Sequence, residues 1–214
     1  MFATFVMKKI TILILTIGWR CASAQDFSFQ KDHVEIYGHH IPVCMKDTQH
    51  NDCDTNYAVN KFEAIMGKGK HVVSHSKRSD RGGIKEKYIV EMEWYVYESK
   101  GITLRTDGYY HKKHDNTPVN QIEFNFFQTK DSVSIKQNIM IDSFHVDNTL
   151  SYEVIMNDSN WQPYISKASK VSSDDRGESI VFKNFGRWVT MGFRRVQGKF
   201  MISRMTVGMN ETKN

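Results

Sequence analysis

Past its first residues the chain has no apolar run long enough to cross a bilayer, and it has no C-x-x-C pair. It also lacks a G-x-S-x-G elbow and a glycine-rich loop placed after a strand to cradle phosphate. These gaps exclude a helical membrane anchor in the mature chain, a dithiol redox motif, an elbow-type serine hydrolase and a nucleotide-cofactor fingerprint. Asp and Glu are scattered singly, so no local carboxylate pair announces acid–base chemistry. The expectation is a non-enzyme that uses no cofactor and no metal.

What is present begins with an export signal. Lys8 and Lys9 precede the apolar run Ile10 to Gly18, and Ala22-Ser23-Ala24 supplies small residues at −3 and −1. That pattern predicts a signal peptide over residues 1–24, cleaved after Ala24, and a periplasmic or secreted protein. Trp19 and Arg20 are too large for lipid attachment at Cys21. Removing Lys8, Lys9 and Arg20 lowers the formal charge from +5 to +2, which weakens any nucleic-acid reading. Cys44 and Cys53 then remain in an oxidising compartment, where a disulfide across their polar loop is expected to contribute about 2–3 kcal/mol.

The mature chain alternates between two periods. Val34 to Val43 reads as a hairpin turning at Gly38-His39, and Val59, Phe62, Ile65 and Met66 form one stripe of a helix stopped by Gly67. Asp54 or Thr55 is available as N-cap. Strands follow at His71-Val72-Val73, Tyr88 to Tyr97, Ile102 to Arg105 and Gln121 to Phe126, with polar loops at 77–87 and 107–120. In Tyr88 to Tyr97 both faces carry large side chains, so one is expected against the helix and the other half covered.

The same order recurs from Val133. A hairpin of Val133-Ser134-Ile135 and Ile139-Met140-Ile141 leads to a helix presenting Tyr152, Ile155 and Met156. Tyr164-Ile165-Ser166 then matches Val72-Val73-Ser74, Ser172 to Glu178 matches the first polar loop, and Phe200 to Met209 takes the place of the last strand. The fold class expected is α+β, as two tandem repeats over 25–128 and 129–214. Each repeat holds a β-hairpin, one short helix and an antiparallel sheet of about three to four strands.

Three segments carry a family resemblance: Val34-Glu35-Ile36-Tyr37-Gly38, Phe62-Glu63-Ala64-Ile65-Met66-Gly67 and Tyr97-Glu98-Ser99-Lys100-Gly101-Ile102. In these the chain resembles small, uncharacterised extracytoplasmic domains of bacteria. Its tandem layout is similar to the β-lactamase-inhibitor protein fold, where two helix-plus-sheet repeats make a concave protein-binding face. The resemblance implies a binding scaffold and carries over no catalytic residue.

Nine histidines raise the question of metal. His71 and His75 are four apart in a β-like setting and therefore about 13 Å apart, too far for one ion. His39 and His40 point to opposite faces of a hairpin, and His111 and His114 lie in a loop. Aromatics are the more telling material, because Tyr and Trp serve both cores and partner contacts. Tyr109 and Tyr110, beside Gly108 in a polar loop, are the candidate partner-binding residues, and Arg187, Arg194 and Arg195 near Trp188 are expected to line the solvent face of a strand, with a basic-aromatic patch as the alternative. The function expected is protein binding, inhibitor- or immunity-like, toward an extracytoplasmic protein. An envelope-associated structural protein is the alternative, and a metal-dependent hydrolase ranks third.

Overall fold

The computed structural model describes residues 25–42, 57–78, 88–107, 117–127, 134–168, 170–174 and 177–209. The leader, both candidate disulfide cysteines Cys44 and Cys53, and the candidate contact residues Tyr109 and Tyr110 lie outside them. The first half runs β1 (Phe27–Phe29), β2 (His33–Ile36), β3 (His39–Pro42), α1 (Val59–Met66), β4 (Lys70–Arg78), β5 (Tyr88–Tyr97), a 3-10 turn (Glu98–Lys100), β6 (Ile102–Asp107) and β7 (Val119–Asn125). The second runs β8 (Ile139–Ile141), β9 (Phe144–Val146), α2 (Tyr152–Asn157), α3 (Gln162–Ile165), β10 (Lys170–Asp174), β11 (Gly177–Asn184), β12 (Arg187–Val196) and β13 (Lys199–Gly208).

The fold is mixed α+β and mostly sheet. Eight strands form one antiparallel sheet in the order β10-β11-β12-β13-β7-β6-β5-β4, so two four-stranded meanders meet where β7 pairs with β13. A five-stranded sheet, β3-β2-β1-β8-β9, lies over one of its faces. There Phe27 and Phe29 of β1 meet Phe124 of β7 edge-on, with ring centroids 4.8 and 6.0 Å apart. β1 is the central strand of this small sheet and runs parallel to β8.

Helices cover the remainder of that face. α1 buries Val59, Phe62 and Met66, and its start is tied to β7 by Val59 N donating to Thr117 O and Val119 N donating to Tyr57 O. Tyr152 at the start of α2 packs on Phe193, while Trp161 and Tyr164 around α3 pack on Phe182. Buried side chains from Phe27 to Met209 thus form one cluster.

Several local expectations are corrected. The first hairpin turns at Tyr37-Gly38, one residue early, since both have positive φ (48° and 80°) as a type I′ turn requires. This register opposes Val34 to Ile41 and buries both together with Ile36. The helix starts at Val59 behind an extended Ala58 without a side-chain cap, so neither Asp54 nor Thr55 is its N-cap. Gly67, at φ 84°, does end it.

In the second half the hairpin is β8–β9, with Asp142 at positive φ in its turn, and Ser134 bridges Phe127 instead. Ser151 caps α2 by accepting from Val154 N at 3.2 Å. Tyr164-Ile165 is helical, because Pro163 suits the first turn of α3. Ser172 to Asp174 and Gly177 to Glu178 belong to strands β10 and β11. Their polarity suggests a loop, but the ladder is made by backbone groups and runs through Ser172↔Ser179, Ser173↔Glu178 and Asp174↔Gly177.

Candidate functional site

Alternation along each strand divides the eight-stranded sheet into two faces. Glu93, Tyr95 and Tyr97 of β5 turn inward, as do Ile102 and Leu104 of β6, Ile122 and Phe124 of β7, and Val189 and Met191 of β12. On the outer face no described element is laid over the strands. Trp188 and Val72 there are 36% and 38% exposed. Met92, Trp94 and Val96 of β5 are half-buried on that side.

Cross-strand register assembles a row on the outer face. Lys183 opposes Trp188, the Gly208 backbone lies against that of Trp188, Gly208 opposes Gln121, Gln121 opposes Arg105, Arg105 opposes Trp94, and Trp94 opposes Val72. The row crosses every strand from β11 to β4, which at ~4.8 Å per strand is about 29 Å. A standard protein interface of ~800 Å² per partner is a disc of about 32 Å, so the row spans most of the width of one.

The polar groups of this face are held by one another. Lys183 Nζ sits 4.8 Å from the Trp188 ring centre. Arg105 donates from Nη1 to Gln121 Oε1 at 3.3 Å and from Nη2 toward Met92 Sδ at 3.2 Å. The guanidinium of Arg194 lies 3.9 Å from the Phe127 ring centre, and Arg204 approaches Glu123 at 3.9 Å. Outward positions thus include Lys70, Arg105, Lys183, Arg194 and Arg204, of which Lys70 is paired with Glu98 at 3.4 Å.

Two glycines keep the face clear. A Cβ on Gly208 would meet Trp188 backbone no closer than 3.5 Å, and one on Gly192 would meet nothing nearer than 3.9 Å. Packing does not demand glycine at either position. At Gly208 the missing side chain leaves backbone open beside Trp188.

The arginines near Trp188 neither all line the solvent face of the strand nor gather round the ring. Arg187 is 1% exposed on the inner face, where Nη1 donates to Gln30 O at 2.8 Å. Arg194 stacks on Phe127 and Arg195 on Phe200, so Trp188 takes its cation from Lys183. Trp94 and Trp188 were both legible as aromatics, but only the register brings them into one row. His71, as expected, is in a strand, where its ring stacks on Tyr95 at 4.8 Å.

A second concavity, of about 760 Å³, lies between β9 and α2–α3. Its Phe144, Trp161 and Tyr164 rings pack on one another, with Phe144 and Trp161 centred 4.2 Å apart. Tyr164 also donates to Asp142 Oδ2 at 3.0 Å, and its hydroxyl pKa is raised by burial and by that carboxylate. These rings are committed to holding α3 on the sheets. Set against known proteins, the chain matches no family model, no curated protein and no solved structure.

Proposed function

We propose that this chain is an extracytoplasmic, non-enzymatic protein-binding module of inhibitor or immunity type. The outer face of the eight-stranded sheet receives the partner. The observation that carries this is the row Lys183, Trp188, Gly208, Gln121, Arg105, Trp94 and Val72, where half-exposed tryptophans flank open backbone. Tryptophan and arginine dominate binding hot spots because they desolvate large areas at low entropic cost. Arg105, Lys183 and Arg194, set outward among the tryptophans of this row and Phe127, suit a partner with an acidic surface. The cations are stacked on rings or bonded across strands, not gathered round a cleft, and this supports binding over catalysis.

The scaffold reading goes with it: two modules, 25–128 and 129–214, exported by the signal over 1–24 and joined edge to edge. Support comes from the strand order, since each meander follows a hairpin and a helix and the last strand of each, β7 and β13, pair with one another. An eight-stranded face made this way is similar in layout to the β-lactamase-inhibitor protein fold. Tyr109 and Tyr110 follow β6 in the chain and remain candidates for a secondary contact, and Cys44–Cys53 remains the candidate disulfide.

The test is affinity capture from the native envelope with the purified protein. One extracytoplasmic protein recovered in stoichiometric amount, and lost with Trp94→Ala/Trp188→Ala, is the expected outcome. Recovery only with envelope fragments would favour a structural role, and undiminished capture by the double variant would remove the outer face from the proposal.

A further inference from the structure

On the far side of the molecule, the hairpin β2–β3 turns Val34, Ile36 and Ile41 toward the core. Its alternate residues form a different set on the solvent face. Glu35 stands directly opposite His40, and His33, two residues before Glu35, shares their side. Donor atoms of His33, Glu35 and His40 lie within 4.8 Å of one another, and His40 Nε2 is already 3.4 Å from Glu35 Oε2. The two imidazole rings are parallel with centres 4.5 Å apart.

We propose that His33, Glu35 and His40 form a binding site for a divalent transition-metal ion of the zinc class. Two imidazoles and one carboxylate are a donor set that such an ion accepts at about 2.0–2.2 Å, which places tetrahedral ligands roughly 3.4 Å apart. The Glu35–His40 pair meets that spacing as it stands. Full closure needs up to about 1.4 Å of further movement from the rest of the set, with the parallel rings tilting toward one point. His40, 64% exposed at its side chain, can supply this by rotation. The fourth position is left to solvent.

A second feature belongs to the same design. His33 Nδ1 is hydrogen-bonded to Asp32 Oδ1 at 2.8 Å. With Nδ1–H donated to that carboxylate, the lone pair of the ring resides on Nε2, the atom left to face an ion. Metal-ligating histidines are regularly oriented through such an outer carboxylate, and its loss costs about 10–100-fold in affinity. Asp32 is thus a positioning residue and not a ligand. The site is independent of the protein-binding reading, because it lies on the small sheet and not on the outer face of the large one.

The test is calorimetric titration of the purified, chelator-treated protein with zinc chloride, paired with the visible spectrum after cobalt(II) addition. One ion per chain is expected, with tetrahedral cobalt absorption. Glu35→Gln and His40→Ala should each weaken zinc binding at least about 10-fold, and Asp32→Asn about 10-fold. His39→Ala, on the same strand but the other side, should bind as the parent does. Melting in the absence of zinc separates lost ligands from lost folding, and zinc should raise the melting temperature of the parent and of His39→Ala but not of His40→Ala. Zinc binding undiminished in folded Glu35→Gln and His40→Ala, or no binding by the parent at millimolar zinc, would overturn the assignment.

Discussion

The inner and outer faces of the eight-stranded sheet are built from alternate residues of the same strands, yet they obey different rules. Inward, Leu104, Ile122, Phe124, Met191 and Met205 are fully buried and interlock with a second layer. Outward, the neighbouring residues Arg105, Gln121, Glu123, Thr190 and Arg204 are partly or largely exposed. A difference of one residue in register separates scaffold from surface, so the two faces should answer substitution differently: stability on one, recognition on the other.

The comparison is broken most severely by Phe124→Ala. Phe124 holds Phe27 and Phe29 of the covering layer, and its truncation should cost about 3–5 kcal/mol in denaturant unfolding. Arg187 tests the inner face from the opposite side. It is a buried cation with one hydrogen bond and no ion pair among the described residues, so Arg187→Met should raise stability by about 1–2 kcal/mol. Tyr97 makes the inner face sensitive to base. Burial, with Glu63 and Tyr95 nearby, pushes its hydroxyl up to about 12 from 10.0. The neutral form therefore contributes stability that is intact below pH 10.0 and lost as pH rises through about 12; Tyr97→Phe should remove this part of the base-unfolding profile.

Smaller effects sharpen the contrast. Ser151→Ala deletes the cap of α2 and should cost about 1 kcal/mol by the same denaturant assay. On the outer face, Gly208→Ala should be neutral or stabilising by up to about 1 kcal/mol, because glycine is entropically costly in a strand and a Cβ fits there. It should nonetheless weaken partner capture by crowding the Trp188 ring. A variant that gains stability while losing binding would mark that face as serving recognition.

The strands themselves were largely readable. Tyr88 to Tyr97 matches β5 end for end, and Gly67 terminates α1, because long alternation and a left-handed stop are local signals. Which side of β5 is buried was not readable. The inner set includes Glu93, 4% exposed, while the outer set holds Met92, Trp94 and Val96, so hydrophobicity points the wrong way. β9 escaped notice because Phe-His-Val is three residues long, and α3 because Tyr164-Ile165 fits either period. Both candidate sites depend on register between strands. Trp94 and Trp188 are far apart in sequence, and His33 meets His40 only because the turn falls at Tyr37-Gly38.

The placement of β1 governs when this protein can become itself. β1, the first of the described strands in chain order, is the middle one of the small sheet, and its parallel neighbour is Ile139–Ile141. Phe27 pairs with Ile139, so most of the chain must be delivered before the strand is flanked on both sides. Closing a loop of that length is slow, and until then one edge of β1 stays unpaired on the ribbon β1-β2-β3. A chain with this topology presents an open strand edge to its surroundings during the interval. Cutting it short before Ile139 would leave a sticky edge where the finished molecule has its centre.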